Sequence, residues 1–180
     1  MNERLSDAAH AGTARITEGG AAAMLRQLPP GWFWYDDAAF DLTFACPRKG
    51  VSGAAVAVNK ELRPDGAVVH VSTDDFSEVY FELRQASTQT AAEAVAGLKQ
   101  SVSERFTDAR FGDDEPAELA GRPARGMTFE FEDRVRRALH TTGTSPLYVV
   151  IYDPRSLLNE LIVASLSSRP WAADPAESGR

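Results

Sequence analysis

Between its two ends the chain mostly places hydrophobic residues on every second position. Phe40, Leu42, Phe44 and Cys46 alternate with Ala39, Asp41, Thr43 and Ala45, the pattern of a strand with one face on a core, and Pro47 closes it. Val69 and Val71, then Val79, Phe81 and Leu83, predict two strands joined across Thr73-Asp74-Asp75-Phe76-Ser77. Met127, Phe129 and Phe131 alternate with Thr128, Glu130 and Glu132, and residues 134–140 return antiparallel after Asp133. Leu147 to Tyr152 is apolar on both faces, which predicts a central strand covered on each side.

The period changes to 3.6 in two places. Thr90-Ala91-Ala92-Glu93 matches a capping box, and Ala91, Ala94, Val95, Leu98, Val102 and Phe106 follow on one face, predicting a helix over 90–106. After Asp153-Pro154, Leu157, Leu158, Leu161, Ile162 and Ser165 repeat at helical spacing behind Ser156, which favours a helix, although Leu161-Ile162-Val163-Ala164 also suits a strand. Hairpin-linked strands with one or two interleaved helices predict an α+β domain, a central antiparallel sheet sandwiched by helices. The residues predict a loose tail over 1–29 with a short helix from Ala21 to Leu28, stopped by Pro29-Pro30-Gly31, a second loose tail over 169–180, and a domain over 30–168.

Composition narrows the functional classes. The 180 residues carry 19 Lys+Arg against 26 Asp+Glu, a net charge of -7 whose field opposes nucleic acid and anionic lipid. The expected partner is therefore a protein with basic surface, with neither nucleic acid nor membrane involved. Cys46 is alone, which excludes an internal disulfide and a multi-cysteine zinc site, and its apolar setting predicts a buried, inert thiol. The start of the chain mixes both charge signs without an apolar stretch and cleavage site, so a cytoplasmic location is expected.

Catalytic signatures are sparse. His10 lies in the tail, His70 and His140 lie on strands, and no Gly-x-Ser-x-Gly elbow occurs, so no triad is supported. Asp36-Asp37, Asp74-Asp75 and Asp113-Asp114-Glu115 are placed in loops, where aspartates satisfy turn N–H groups more often than they hold cations; no metal or cofactor is expected. Gly50-Val51-Ser52-Gly53 lacks the following Lys-Ser/Thr of a phosphate loop and reads as a turn. Arg134 and Arg136 share one sheet face, with Arg122, Arg125 and Arg137 near in sequence. They suit either cross-strand pairing with Glu130 and Glu132 or contact with an anionic partner.

Trp32-Phe33-Trp34-Tyr35 is the most unusual segment. In a strand, alternate rings must point opposite ways, so one pair faces away from the core or is covered by a second layer.

Phe40-Asp41-Leu42-Thr43-Phe44 resembles the opening strand of the PsbP/Mog-like fold family, Leu119-Ala120-Gly121-Arg122-Pro123-Ala124 its Gly-containing entry to a strand, and Leu161-Ile162-Val163-Ala164-Ser165 its closing segment. The likeness spans about residues 32 to 168, although the family's Pro-x-Gly-Trp after the first strand is absent. It implies a sheet between helices and a non-catalytic interaction or assembly factor. The expected working surface is acidic and aromatic: Trp32, Trp34, Asp36, Asp37, Asp74 and Asp75, with Arg134 and Arg136. The alternative is a carrier of a small or lipid-like ligand, its pocket between sheet and helix, with Tyr80, Tyr148 or Tyr152 as the polar handle.

Overall fold

The computed structural model describes residues 28–37, 42–86, 89–142 and 146–168. The predicted tail helix, the start of the strand at Phe40, His10 and the segment 169–180 lie outside them. In chain order the elements are β1 (Trp32–Asp37), β2 (Leu42–Pro47), β3 (Val56–Arg63), β4 (Gly66–Thr73), β5 (Tyr80–Ala86), α1 (Ala91–Arg105), β6 (Arg110–Leu119), β7 (Arg122–Phe131), β8 (Arg134–Thr141), β9 (Leu147–Tyr152), α2 (Leu157–Ala164) and β10 (Ser167–Ser168).

Seven strands form one antiparallel sheet in the order β3-β4-β5-β9-β8-β7-β6. The doubly apolar β9 is its middle strand, as its composition requires: Tyr148, Val150 and Tyr152 enter one core, Ile151 and Val149 the other. Hairpin chemistry fixes the far half of the sheet. Ala120-Gly121 and Glu132-Asp133 all adopt positive φ, the two-residue turns whose twist matches that of paired strands.

On one face, α1 closes a core of Leu98, Val102, Met127, Phe129, Ala138 and Ile151. Its start is the predicted capping box: Glu93 N–H donates to Thr90 Oγ1 and the Glu93 carboxylate accepts from Thr90 N–H. The other face is where the structure overturns the expected helical sandwich. It is covered mainly by a small second sheet, β1-β2-β10, with α2 beside it, so the chain is mostly β. A seven-stranded sheet is about 30 Å wide, whereas an eight-residue helix reaches only about 12 Å. Something wider than α2 must cover that face, and β2 supplies it. Every residue of β2 is buried, with Leu42, Phe44 and Cys46 facing the large sheet.

The aromatic run forms β1 and splits only in part as alternation demands, because Trp32, of the same parity as Trp34, is also half-buried against the core. Phe33 and Tyr35 pair with Cys46 and Phe44 over the core, the Tyr35 and Phe44 rings 4.9 Å apart, while Trp34 stays 37% exposed. Two sheet-edge strands, β3 and β6, were not predicted. Their side chains are largely exposed and polar, so neither shows an apolar rhythm.

Two substitutions test this layering by urea unfolding. Phe44→Ala removes the ring joining the two sheets and is expected to cost about 3 to 5 kcal/mol. Thr90→Ala, which removes only the cap of α1, is expected to cost about 1 kcal/mol.

Candidate functional site

The β7–β8 register decides which side chains meet. Phe129 lies opposite Arg136 and Phe131 opposite Arg134, while Glu130 lies opposite Val135. Because successive residues point to opposite faces, both arginines emerge among phenylalanines on the α1 face. The anticipated ion pairs with Glu130 and Glu132 do not form. There the sheet and the C-terminal half of α1 bound a cleft of about 350 Å³, lined from five elements and the β4–β5 loop.

Its floor is a polar cluster set among rings. Glu82 of β5 is buried; its carboxylate accepts from Arg84 Nε and from the Tyr80 hydroxyl at 3.3 Å, and His70 Nδ1 lies 3.5 Å away. The Arg136 guanidinium lies 4.4 Å from the centre of the Tyr80 ring and donates to Asp153 Oδ2 at 2.9 Å. Burial lowers the Arg136 pKa, against the opposing pull of Asp153. For Tyr80, burial and then the Glu82 charge push the phenol up to about 12. The buried Asn159 of α2 holds this end of the cleft together: its Oδ1 accepts from Tyr80 N–H at 3.1 Å and its Nδ2 donates to Asp153 O at 3.1 Å.

The rim is built differently. Arg105, in the last turn of α1, and Arg134, at the start of β8, are exposed, and among the described residues neither has a carboxylate within ion-pair distance. Phe106 and Phe131 stack at 4.1 Å and continue into Phe129 at 6.0 Å, forming an aromatic wall. Phe76 in the β4–β5 loop also lines the cleft, 46% exposed and edge-on to Tyr80 at 5.9 Å. Its φ of 57° is left-handed, a conformation costing a bulky side chain on the order of 1 to 2 kcal/mol. The loop imposes it: Phe76 N–H donates to Thr73 O, Ser77 N–H to Asp75 Oδ1, and Ser156 Oγ to Glu78 O. Phe76 and Tyr80 also line a second cleft of about 250 Å³ that reaches His70, Ser72 and Asn59.

The residues read from the sequence as one surface are spread over the molecule. Trp32, Trp34, Asp36 and Asp37 lie on β1, behind the large sheet, where Asp37 pairs with Lys60 at 2.5 Å. Asp74 and Asp75 sit in the β4–β5 turn, Asp75 bound to Ser77. Arg134 and Arg136 alone reach the cleft. Of the three tyrosines named as handles, Tyr80 faces it, while Tyr148 and Tyr152 are buried in the opposite core. Asp36-Asp37 and Asp113-Asp114-Glu115, expected in loops, belong to strands β1 and β6. Glu82, Arg105 and Phe76 were missed. Only the β5 alternation, which puts Glu82 on the face of Tyr80 and Arg84, carried a signal for the first.

The remaining chemistry gathers no second centre. Cys46 is fully buried and its thiol is pushed up to about 12 by that burial. His140 is buried with neither ring nitrogen hydrogen-bonded, and Asp114, 3.6 Å from its Nε2, is engaged by Arg125 at 2.6 Å. Among the described residues no group of three His, Cys, Asp or Glu is placed to hold a metal ion, and no helix is long and apolar enough to cross a membrane.

No family model and no curated protein matches the chain. Among solved structures, it is similar to a protein of unknown function from Pseudomonas aeruginosa, PA94, at 12% identity and a TM-score of 0.34, over 70% of this chain and 85% of that one.

The Arg136–Asp153–Arg155 arrangement has a defined acid response. Burial raises the Asp153 pKa, but the hydrogen bonds and charge of Arg155 and the charge of Arg136 outweigh it, so the carboxyl titrates below its ordinary 3.8. The stability it contributes is complete at neutral pH and is lost as pH falls through that lowered value. Asp153→Asn is expected to cost on the order of 3 kcal/mol at neutral pH by leaving Arg136 buried without its counter-charge. Urea unfolding at a series of pH values should show the gap to wild type closing below about pH 4.

Proposed function

We propose that this protein is a ligand-binding domain that holds a small organic anion in the cleft between α1 and the seven-stranded sheet. The reading rests on one observation: Arg105 and Arg134, from separate elements, line one cleft with an aromatic wall and have no carboxylate partner among the described residues, in a chain of net charge -7. An acidic protein that keeps two guanidinium groups unneutralised beside an apolar surface presents a local potential opposite to its overall one. That local potential attracts an anion, while the rings favour a ligand with an apolar body. Arg84 and Arg136, held by Glu82 and Asp153, shape the floor. The acidic and aromatic interaction surface receives less support, because its residues fall on opposite sides of the large sheet.

The test is a titration with the aromatic sulfonate 1-anilinonaphthalene-8-sulfonate, followed by amide NMR shifts. Shifts are expected in the C-terminal half of α1, the start of β8 and the β4–β5 loop. In the Arg105→Ala/Arg134→Ala double variant the dissociation constant should rise by about tenfold or more, with the unfolding midpoint unchanged because both side chains are exposed. Shifts confined to the β1-β2-β10 side, or equal binding by the double variant, would overturn the assignment.

A further inference from the structure

We infer that the ligand of this cleft is a small aromatic phosphate monoester, its phosphoryl group bridging Arg105 and Arg134 and its ring lodged between Phe76 and the Phe106–Phe131 stack. The inference rests on the ligand-binding reading above and deepens it by naming the chemical class.

Two features select phosphate. One guanidinium fork suffices for a carboxylate, whose two oxygens it binds side by side; a phosphate monoester offers three oxygens and up to two charges, enough for forks arriving from two directions. Arg105 and Arg134 supply those directions, one from the end of a helix and one from a strand. The anion's location is also fenced. Arg134 also borders a separate hollow whose lining sets Asp108, Glu130, Glu132 and Asp133 against Arg110, so an anion drawn to Arg134 is disfavoured there relative to the aromatic side.

The ring requirement comes from Phe76. A large apolar residue, half exposed and in left-handed backbone, is poorly suited to its place by every local criterion; glycine or asparagine would fit that φ better. The strained conformation does not serve the core, since Phe76 belongs to neither buried cluster. What it does is place a ring, edge-on to Tyr80, in the lining of the cleft to which Phe106 and Phe131 also contribute. Such an opening bounded by aromatic rings takes a planar group by stacking, and a volume of about 350 Å³ accommodates one small molecule rather than a chain segment.

Calorimetric titrations with phenyl phosphate, cyclohexyl phosphate and inorganic phosphate separate the two levels of the argument. Wild type should bind phenyl phosphate about three- to tenfold more tightly than cyclohexyl phosphate, the range expected of one aromatic contact. In Phe76→Gly that preference should fall by about twofold or more, the Phe106–Phe131 wall keeping the remainder, while inorganic phosphate binds as before, and the unfolding midpoint should hold or rise because glycine accepts the φ. If wild type binds the two esters equally, or if Phe76→Gly keeps the preference in full, this inference fails while the anion-binding reading stands. If none of the three phosphates binds but the aromatic sulfonate does, the phosphate assignment fails alone. If neither the phosphates nor the sulfonate binds, both readings fall together.

Discussion

The structure depends on burying β9 on both of its faces. A six-residue strand of Leu, Tyr, Val, Val, Ile and Tyr cannot sit at an edge or show either side to water without exposing hundreds of square ångströms of apolar surface. It therefore takes the central place, and each of its faces must be roofed. One roof is α1, which packs over β7, β8 and β9. The other is the small sheet with α2. The cleft is a by-product of the first roof. A single 15-residue helix does not reach across the whole face, and what it leaves open, beyond its last turn, is the strip where β8 begins and β5 starts.

Because β9 ends at Tyr152, the sheet has a notch between the start of β5 and the start of β8. Arg136 spans it, lying against the Tyr80 ring and binding Asp153, the residue that follows β9. Asn159 ties the same two chain segments from below. The polar floor is thus a repair of a gap in a β-sheet, and it leaves at the rim Arg105 and Arg134, which have no ion-pair partner among the described residues. In an overall negative chain this arrangement brings four arginines to one opening, beside a hollow lined by Asp108, Glu130, Glu132 and Asp133 with Arg110.

Much of the frame was legible in the residues. The alternation of Val69–Val71, Phe81–Leu83 and Met127–Phe131, the two-sided apolarity of 147–152 and the Thr90–Glu93 capping box each correspond to the element they predict, because in each case local pattern and tertiary burial agree. The helical sandwich was a misreading of what covers the second face. Phe33 and Tyr35 alternate as any strand does, and nothing local says that β1 and β2 will pair with each other and stack on the large sheet instead of joining it. β3 and β6 were invisible for the opposite reason: at sheet edges with exposed side chains, they carry no hydrophobic rhythm to find. The cleft was legible only in part. Arg134 and Arg136 share a face by parity, yet their partnership with Phe129 and Phe131 depends on the register set by the Glu132-Asp133 turn. Phe76 and Arg105 reach the same opening only through tertiary folding.

Those two edge strands have a consequence of their own. β3 ends in Asn-Lys-Glu-Leu-Arg, and β6 carries Asp-Asp-Glu-Pro with a register break between Phe111 and Asp114. On β6 proline withholds an N–H and the bulge twists the border away, and on both margins charged side chains keep their water, devices that work against the addition of a further strand.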